Sequence, residues 1–260
     1  MVLSGAIDTP WRAVALFAAG IAAGIVNGVA GGGTFITFPT LLALGIAPLQ
    51  ANVSSTVGLV PSVLAGVRVF RRELSKHRAT LRRLIPTCVV GSGVGTALLL
   101  TTSENTFAAV VPWLIGAATA LFAAAPLITK LLSRRHPPGS DAHARPRTLL
   151  AGVFIGSIYG GYFGAGLGIV LFAVLALSLR EDILELQGIR VALGLLINTV
   201  AAVVFAVRGH LALTAVAILL VSTFLGGWIG AHTMRKIPSA WVRALVISVG
   251  VVTTLRLVVG

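Results

Sequence analysis

Apolar residues in this chain form long runs, and the polar ones gather in short stretches between them. Six runs, residues 53–70, 84–101, 107–131, 188–207, 211–233 and 241–259, are each long enough to cross a hydrocarbon layer of roughly 30 Å as one helix. Two more, residues 11–44 and 149–177, are too long for one ordinary span, and glycines interrupt both. Each reads as an entering helix followed by a short second helix, a hairpin with its tip inside the membrane. The polar, Pro-containing stretch 130–147 separates the two sets.

The interrupted stretches repeat one another. Residues 28–44 align without a gap to residues 161–177 with seven identities, where chance in so apolar a chain gives roughly two. Gly28, Gly31 and Gly33 thereby match Gly161, Gly164 and Gly166. The predicted organisation is a first transmembrane repeat in residues 1–131, a basic linker in 132–147 and a second repeat in 148–260. The fold class is all-α, a polytopic transmembrane helical bundle with Gly-broken helical hairpins.

Composition agrees with a chain that lives in lipid. Of its 260 residues 57% are hydrophobic and 10% charged, and the mean hydropathy is +0.99, more apolar surface than a soluble domain can bury. The net charge of +13 raises the question of nucleic acid, but the basic residues sit in short loops, where the cytoplasmic bias of Lys and Arg accounts for them. No nucleic-acid role is expected; lipid is the surrounding partner. The single cysteine, Cys88, forms no intrachain disulfide. The first twelve residues lack the pattern of a cleaved signal peptide, with Asp8 and Pro10 intervening.

Charge also argues orientation. If each interrupted stretch returns to its starting side, the two repeats run inverted, and seventeen of twenty Lys and Arg face the cytoplasm; only Arg12, Arg208 and Arg256 lie outside. If each crosses once, the repeats are parallel and the split is fifteen to five. The positive-inside bias favours inverted repeats, with hairpins entering from opposite faces and glycine tips meeting near the midplane. The location expected is the bacterial cell membrane.

The seven acids, Asp8, Glu73, Glu104, Asp141, Glu181, Asp182 and Glu185, all fall in loops or at segment ends. A carboxylate at mid-span, the usual mark of cation or proton carriers, is missing. Paired carboxylates, a Gly-x-Ser-x-Gly elbow, CxxC pairs and clustered histidines are missing too, so neither an enzyme nor a metal or other cofactor is expected.

What remains suits an anion. Gly31, Gly32 and Gly33 followed by Thr34 can present backbone N–H groups at a helix start, with Gly164, Gly166 and Gly168 opposite. Glycines also serve close helix packing and tight turns, but two matched copies beside shortened helices favour a substrate site. Asn52, Ser54, Ser55 and Thr56 form a polar cluster whose hydroxyls and amide can donate to oxygens or merely cap their helix. In the second repeat the counterpart runs from Gln187 to Arg190, with Asn198 two turns on. Arg190 either forks onto an oxyanion or snorkels to the surface. His232, Tyr159 and Tyr162 read more simply as interfacial or packing residues, and Trp11 and Trp241 as interface anchors.

These motifs resemble a family. Asn27-Gly28-Val-Ala-Gly31-Gly32-Gly33-Thr-Phe-Ile-Thr-Phe-Pro39, then Ala51-Asn52-Val-Ser54-Ser55-Thr56 and a span ending at the basic loop from Arg68, is similar to the sulfite exporter TauE/SafE family. The second copy follows around residues 161–166 and Asn198, with Gly164-Ala165-Gly166 in place of a glycine triplet. The resemblance implies a permease for sulfite, sulfonates or related small sulfur oxyanions, working outward, and adds Asn27 to the candidate site. A membrane-embedded enzyme or assembly subunit handling a sulfur compound is the alternative from another class, and a passive anion channel a third; self-association stays open.

Overall fold

The apolar runs become helices in the computed structural model, which describes residues 7, 9–135, 146–179, 181–208, 211–233 and 239–259. Among the described residues there are eleven helices and no strand. They are α1 (Pro10–Ala30), α2 (Thr34–Ala43), α3 (Pro48–Val69), α4 (Arg71–Lys76), α5 (Arg78–Thr101), α6 (Glu104–Arg135), α7 (Pro146–Tyr162), α8 (Leu167–Ser178), α9 (Ile183–Arg208), α10 (Leu213–Thr233) and α11 (Ser239–Val259). Six of them, α1, α5, α6, α9, α10 and α11, are long and apolar enough to cross a membrane; α3, which holds the predicted run 53–70, is not among them. The linker proper, residues 136–145, lies outside the described residues, as do Asp8, Asp141, Arg180, Arg235 and Lys236.

Several boundaries differ from the hydropathy reading, among them the starts of α5 at Arg78 in place of residue 84 and of α9 at Ile183 in place of residue 188. Helix α3 starts at Pro48, not at residue 53, because the polar residues that open it are inside the bundle: Asn52, Ser54 and Ser55 are 1% exposed or less. Proline is favoured in the first helical turn, where its missing N–H leaves no bond unmade. The basic stretch between α3 and α5 is not a plain loop but carries the six-residue α4.

Both interrupted stretches are helical hairpins, α1–α2 and α7–α8, and neither packs chiefly within its own half. Helix α1 lies along α10, and α7 along α5; α3 crosses α10, and α9 crosses α5; α2 meets α11, and α8 meets α6. Exchanging α1 with α7, α2 with α8, α3 with α9, α5 with α10 and α6 with α11 turns these pairings into one another. Each hairpin is thus completed by the other half of the chain.

Small residues make these crossings close, which matters where lipid is as apolar as the side chains and only tight packing holds helices together. A Cβ at Gly95 of α5 would strike Ile158 O of α7, and one at Gly226 of α10 would strike Ile21 O of α1. Hydroxyls tie the next contacts. Thr223 Oγ1 donates to Gly58 O (2.6 Å) between α10 and α3, and Ser92 Oγ to Ile197 O (2.8 Å) between α5 and α9. Bonds of this kind contribute about 0.6 kcal/mol each in a membrane bundle.

Candidate functional site

Helix α1 ends at Ala30 because Gly31 takes a left-handed conformation (φ 74°), and α7 ends near Gly164 in the same way (φ 76°). A side chain in that region costs about 1–2 kcal/mol, so glycine is selected at both turns. Gly164 N–H donates to Tyr159 O (3.1 Å), closing the end of α7. The two turns then touch: a Cβ on Gly31 would sit 3.1 Å from Gly168 Cα. Thr34 opens α2, and Gly168 lies in the first turn of α8. The first N–H groups of a helix have no intrahelical acceptor, and among the described residues neither Thr34 N–H nor Gly168 N–H finds another.

Between these helix starts lies Arg190. It is 5% exposed, two turns inside α9, so its guanidinium does not reach the surface. Among the described residues it meets no carboxylate, and its Nε is buried without a hydrogen-bond partner. A Cβ on Gly31 would fall 2.5 Å from its Nη1. A buried charge without a counter-charge is costly by several kcal/mol. A guanidinium so placed can take an anion as its counter-charge.

The guanidinium borders a cavity of about 50 Å³, room for a few waters or one small ion. Its wall takes Asn27, Gly28, Gly31 and Thr34 from the first hairpin and Phe163, Gly164, Leu167 and Gly168 from the second. Thr56, Leu59, Ser62, Val63 and Gly66 form one stripe of α3, and Arg190, Val191, Gly194 and Asn198 one stripe of α9. Asn27 is held in place on both sides: its Nδ2 donates to Ser62 Oγ (2.7 Å), and its Oδ1 accepts from Gly33 N–H (3.5 Å).

Of the residues singled out in sequence, the structure gathers Asn27, Gly31, Thr34, Thr56, Gly164, Arg190 and Asn198 on this cavity. The others lie behind it. A Cβ on Gly32 would meet the Phe122 ring at 2.9 Å, and one on Gly33 would meet Leu59 at 2.8 Å and Ala23 O at 2.9 Å, so both glycines are packing positions. Gly166 (φ 72°) faces Phe35 and Ala118. Ser54 Oγ accepts from Ala212 N–H (3.0 Å), Ser55 Oγ pairs with Thr37 Oγ1 (2.5 Å), and Asn52 Nδ2 donates to Tyr162 O (3.0 Å). These three tie α3 to its neighbours. Tyr159 donates its hydroxyl to Ala165 O (2.5 Å), and Tyr162 packs against Phe107. His232 lies at the exposed end of α10 beside Trp228.

Ser62 and Gly194 are wall residues that the sequence did not mark, whereas Gly168, named with Gly164 and Gly166 in the second copy, is on the wall as well. Ser62 continues the helical stripe begun at Thr56 and Leu59, and Gly194 the stripe begun at Arg190, so extending each polar residue by three and four positions would have found them.

A polar cluster lies beyond the cavity. Lys76 Nζ donates to Glu185 Oε1 (2.8 Å), His77 Nε2 to Glu185 Oε2 (3.0 Å), and His77 Nδ1 is 3.9 Å from Glu181 Oε1. The bond to Glu185 raises the Lys76 pKa above its ordinary value. His77, Glu181 and Glu185 could each turn one atom to a shared ion. Both ring nitrogens already face carboxylates, however, and an ammonium occupies the other Glu185 oxygen, which is the arrangement of a salt-bridge network.

The family model for the sulfite exporter TauE/SafE matches residues 16–257. The chain is 23% identical over 246 residues to a "Probable membrane transporter protein" of Haemophilus influenzae, covering 94% of this chain and 93% of that one. It is 22% identical over 242 residues to "Probable membrane transporter protein YfcA" of Escherichia coli K12, covering 93% and 88%. A third relative, "Probable membrane transporter protein ORF9" of a Sinorhizobium species, is 30% identical over 161 residues, 59% of this chain and 56% of its own. No solved structure gives a significant match.

Proposed function

The chain belongs to the sulfite exporter TauE/SafE family of membrane transporters, and on that premise we propose that it carries a small sulfur oxyanion such as sulfite or a compact sulfonate out of the cell across the cell membrane. The observation that carries this reading is Arg190, buried and, among the described residues, without a carboxylate partner, on a cavity shared by two helix starts. In this reading the substrate's oxygens take the guanidinium fork and the N–H groups of Thr34 and Gly168, and Asn27, Thr56 and Asn198 fill the remaining positions. Helix N-termini aimed at an anion from two broken helices are a recurring design of secondary transporters. The repeats, residues 1–131 and 148–260, would be inverted about the site, and rocking them or shifting the hairpins would expose it to each side in turn.

The test is flux of labelled sulfite and sulfonates in proteoliposomes, with and without a proton or sodium gradient. Arg190→Ala should remove flux altogether, and Arg190→Lys should restore it only in part, since an ammonium lacks the planar fork. Wild-type flux in Arg190→Ala overturns the assignment.

A further inference from the structure

The two ends of the cavity are closed by different means. At one end Phe163 forms the wall, with Phe38 and Phe107 edge-on behind it at 5.7 and 6.4 Å between ring centres, all buried in the main apolar core. At the other end the last wall residues are Gly66 and Val191, where a Cβ on Gly66 would sit 3.1 Å from Val191 Cγ1. One turn beyond Gly66, Phe70 is buried (4% exposed) at the junction of α3 and α4. The start of α4 lies on Gly188 of α9: a Cβ there would meet Phe70 Cβ at 3.4 Å, Glu73 Cβ at 3.5 Å and Leu74 Cγ at 3.7 Å.

We propose that α4 is a gate over this end of the cavity, latched shut by Glu185 through its bonds to Lys76 and His77. The inference rests on the transporter reading above and assigns it a moving part. Helix α4 itself buries no residue, so its hold on the bundle is the contact of Phe70, Glu73 and Leu74 with Gly188 together with the polar latch. The latch is partly shielded, with the Glu185 and His77 side chains 14% and 11% exposed, and shielded pairs are less screened by salt than surface ones. Glu185 stands five positions before Arg190 on the same helix, so the latch ties the gate to the helix that carries the anion-binding guanidinium. The gate is also one-sided. Where α4 joins α3 to α5, the matching connection between α9 and α10 is residues 209–212 alone. Arg71, Arg72 and Arg78 lie exposed around α4 and would draw an anion towards the opening.

A reversible lock tests this. Glu73→Cys with Gly188→Cys in a Cys88→Ala background places two Cβ atoms 3.5 Å apart, within disulfide range. In proteoliposomes the reduced protein should carry oxyanion, oxidation should cut flux to background, and reductant should restore it. Undiminished flux in protein shown by mass to be cross-linked overturns the gate and leaves the transporter reading standing. Absence of flux for every oxyanion in the unaltered chain overturns that reading and the gate with it. A second arm needs no transport: a thiol at Gly194, where a Cβ meets nothing within 4 Å, is labelled in detergent by a small charged reagent. Glu185→Gln should speed that labelling severalfold, and an unchanged rate overturns the latch.

Discussion

The two hairpin tips descend from one repeated sequence and solve one geometric problem, yet they do different chemistry. Gly31 and Gly164 both turn the chain through the left-handed region. Past that point they part. Gly33 is right-handed, with its N–H turned to the Asn27 side chain, while Gly166 takes a second left-handed turn. The position of Asn27 is held in the second copy by Gly160, packed on Ile197 and Leu167, and that of Thr34 by Leu167. Polar wall therefore comes from the first tip, and close backbone from the second. The repeat preserves the path of the backbone, which two shortened helices need in order to meet, and leaves the side chains free to specialise.

The comparison breaks most completely if the hairpins do not enter from opposite faces. Thiols at the exposed positions Ala47 and Asp182, in a Cys88→Ala background, should react with an impermeant reagent from opposite sides of a sealed vesicle, an all-or-none result. Labelling of both from one side would falsify the inverted arrangement.

Next in size is the contrast between Gly31→Ala and Gly164→Ala. Both incur roughly 1 kcal/mol of left-handed strain, read as a similar fall in melting temperature. At Gly31 the added methyl also displaces Arg190, so flux per folded molecule should drop at least about tenfold, the equivalent of 1.4 kcal/mol. At Gly164 the nearest atom is Gly160 O at 3.1 Å, and flux should follow stability alone. Equal losses would show that the tips are equivalent after all.

Gly32→Val and Gly33→Val come third. Each side chain would be driven into Phe122, or into Leu59 and the α1 backbone, and overpacking of this kind costs about 1–3 kcal/mol. Yield and thermal stability should fall in step with flux. Normal yield with abolished flux would return these glycines to the anion site.

The smallest effects belong to Asn27→Ala and its matched partner Gly160→Ala. The first removes the bond to Ser62, worth about 1 kcal/mol, and one polar group from the cavity wall. The second presses on Ile197 Cγ2 and the end of the Leu167 side chain, and should cost a similar amount of stability while leaving the substrate KM where it was. A raised KM in the second variant, not the first, would reverse the roles of the tips.

How much of this was legible beforehand varies along the chain. The spans and the two breaks follow from run length and from glycine, because a membrane demands about twenty apolar residues per crossing and satisfies the backbone only within helices. The seven identities over seventeen aligned residues of the repeat also stood in the sequence. Helix α4 did not, since six residues rich in Arg and Lys carry no hydropathy signal and are held by Glu185 more than a hundred positions away. Nor did the division of the polar residues of α3. Ser54, Ser55 and Thr56 are neighbours in the chain, but successive helical residues point about 100° apart, so one meets Ala212, one meets Thr37, and one meets the cavity. Composition and period determined that this chain crosses a membrane, where it breaks, and that its acids fall in loops or at segment ends and not at mid-span. Only the tertiary structure decided which face of each helix lines the cavity and that Arg190 ends up facing it, because those facts depend on neighbours supplied by the other half of the chain.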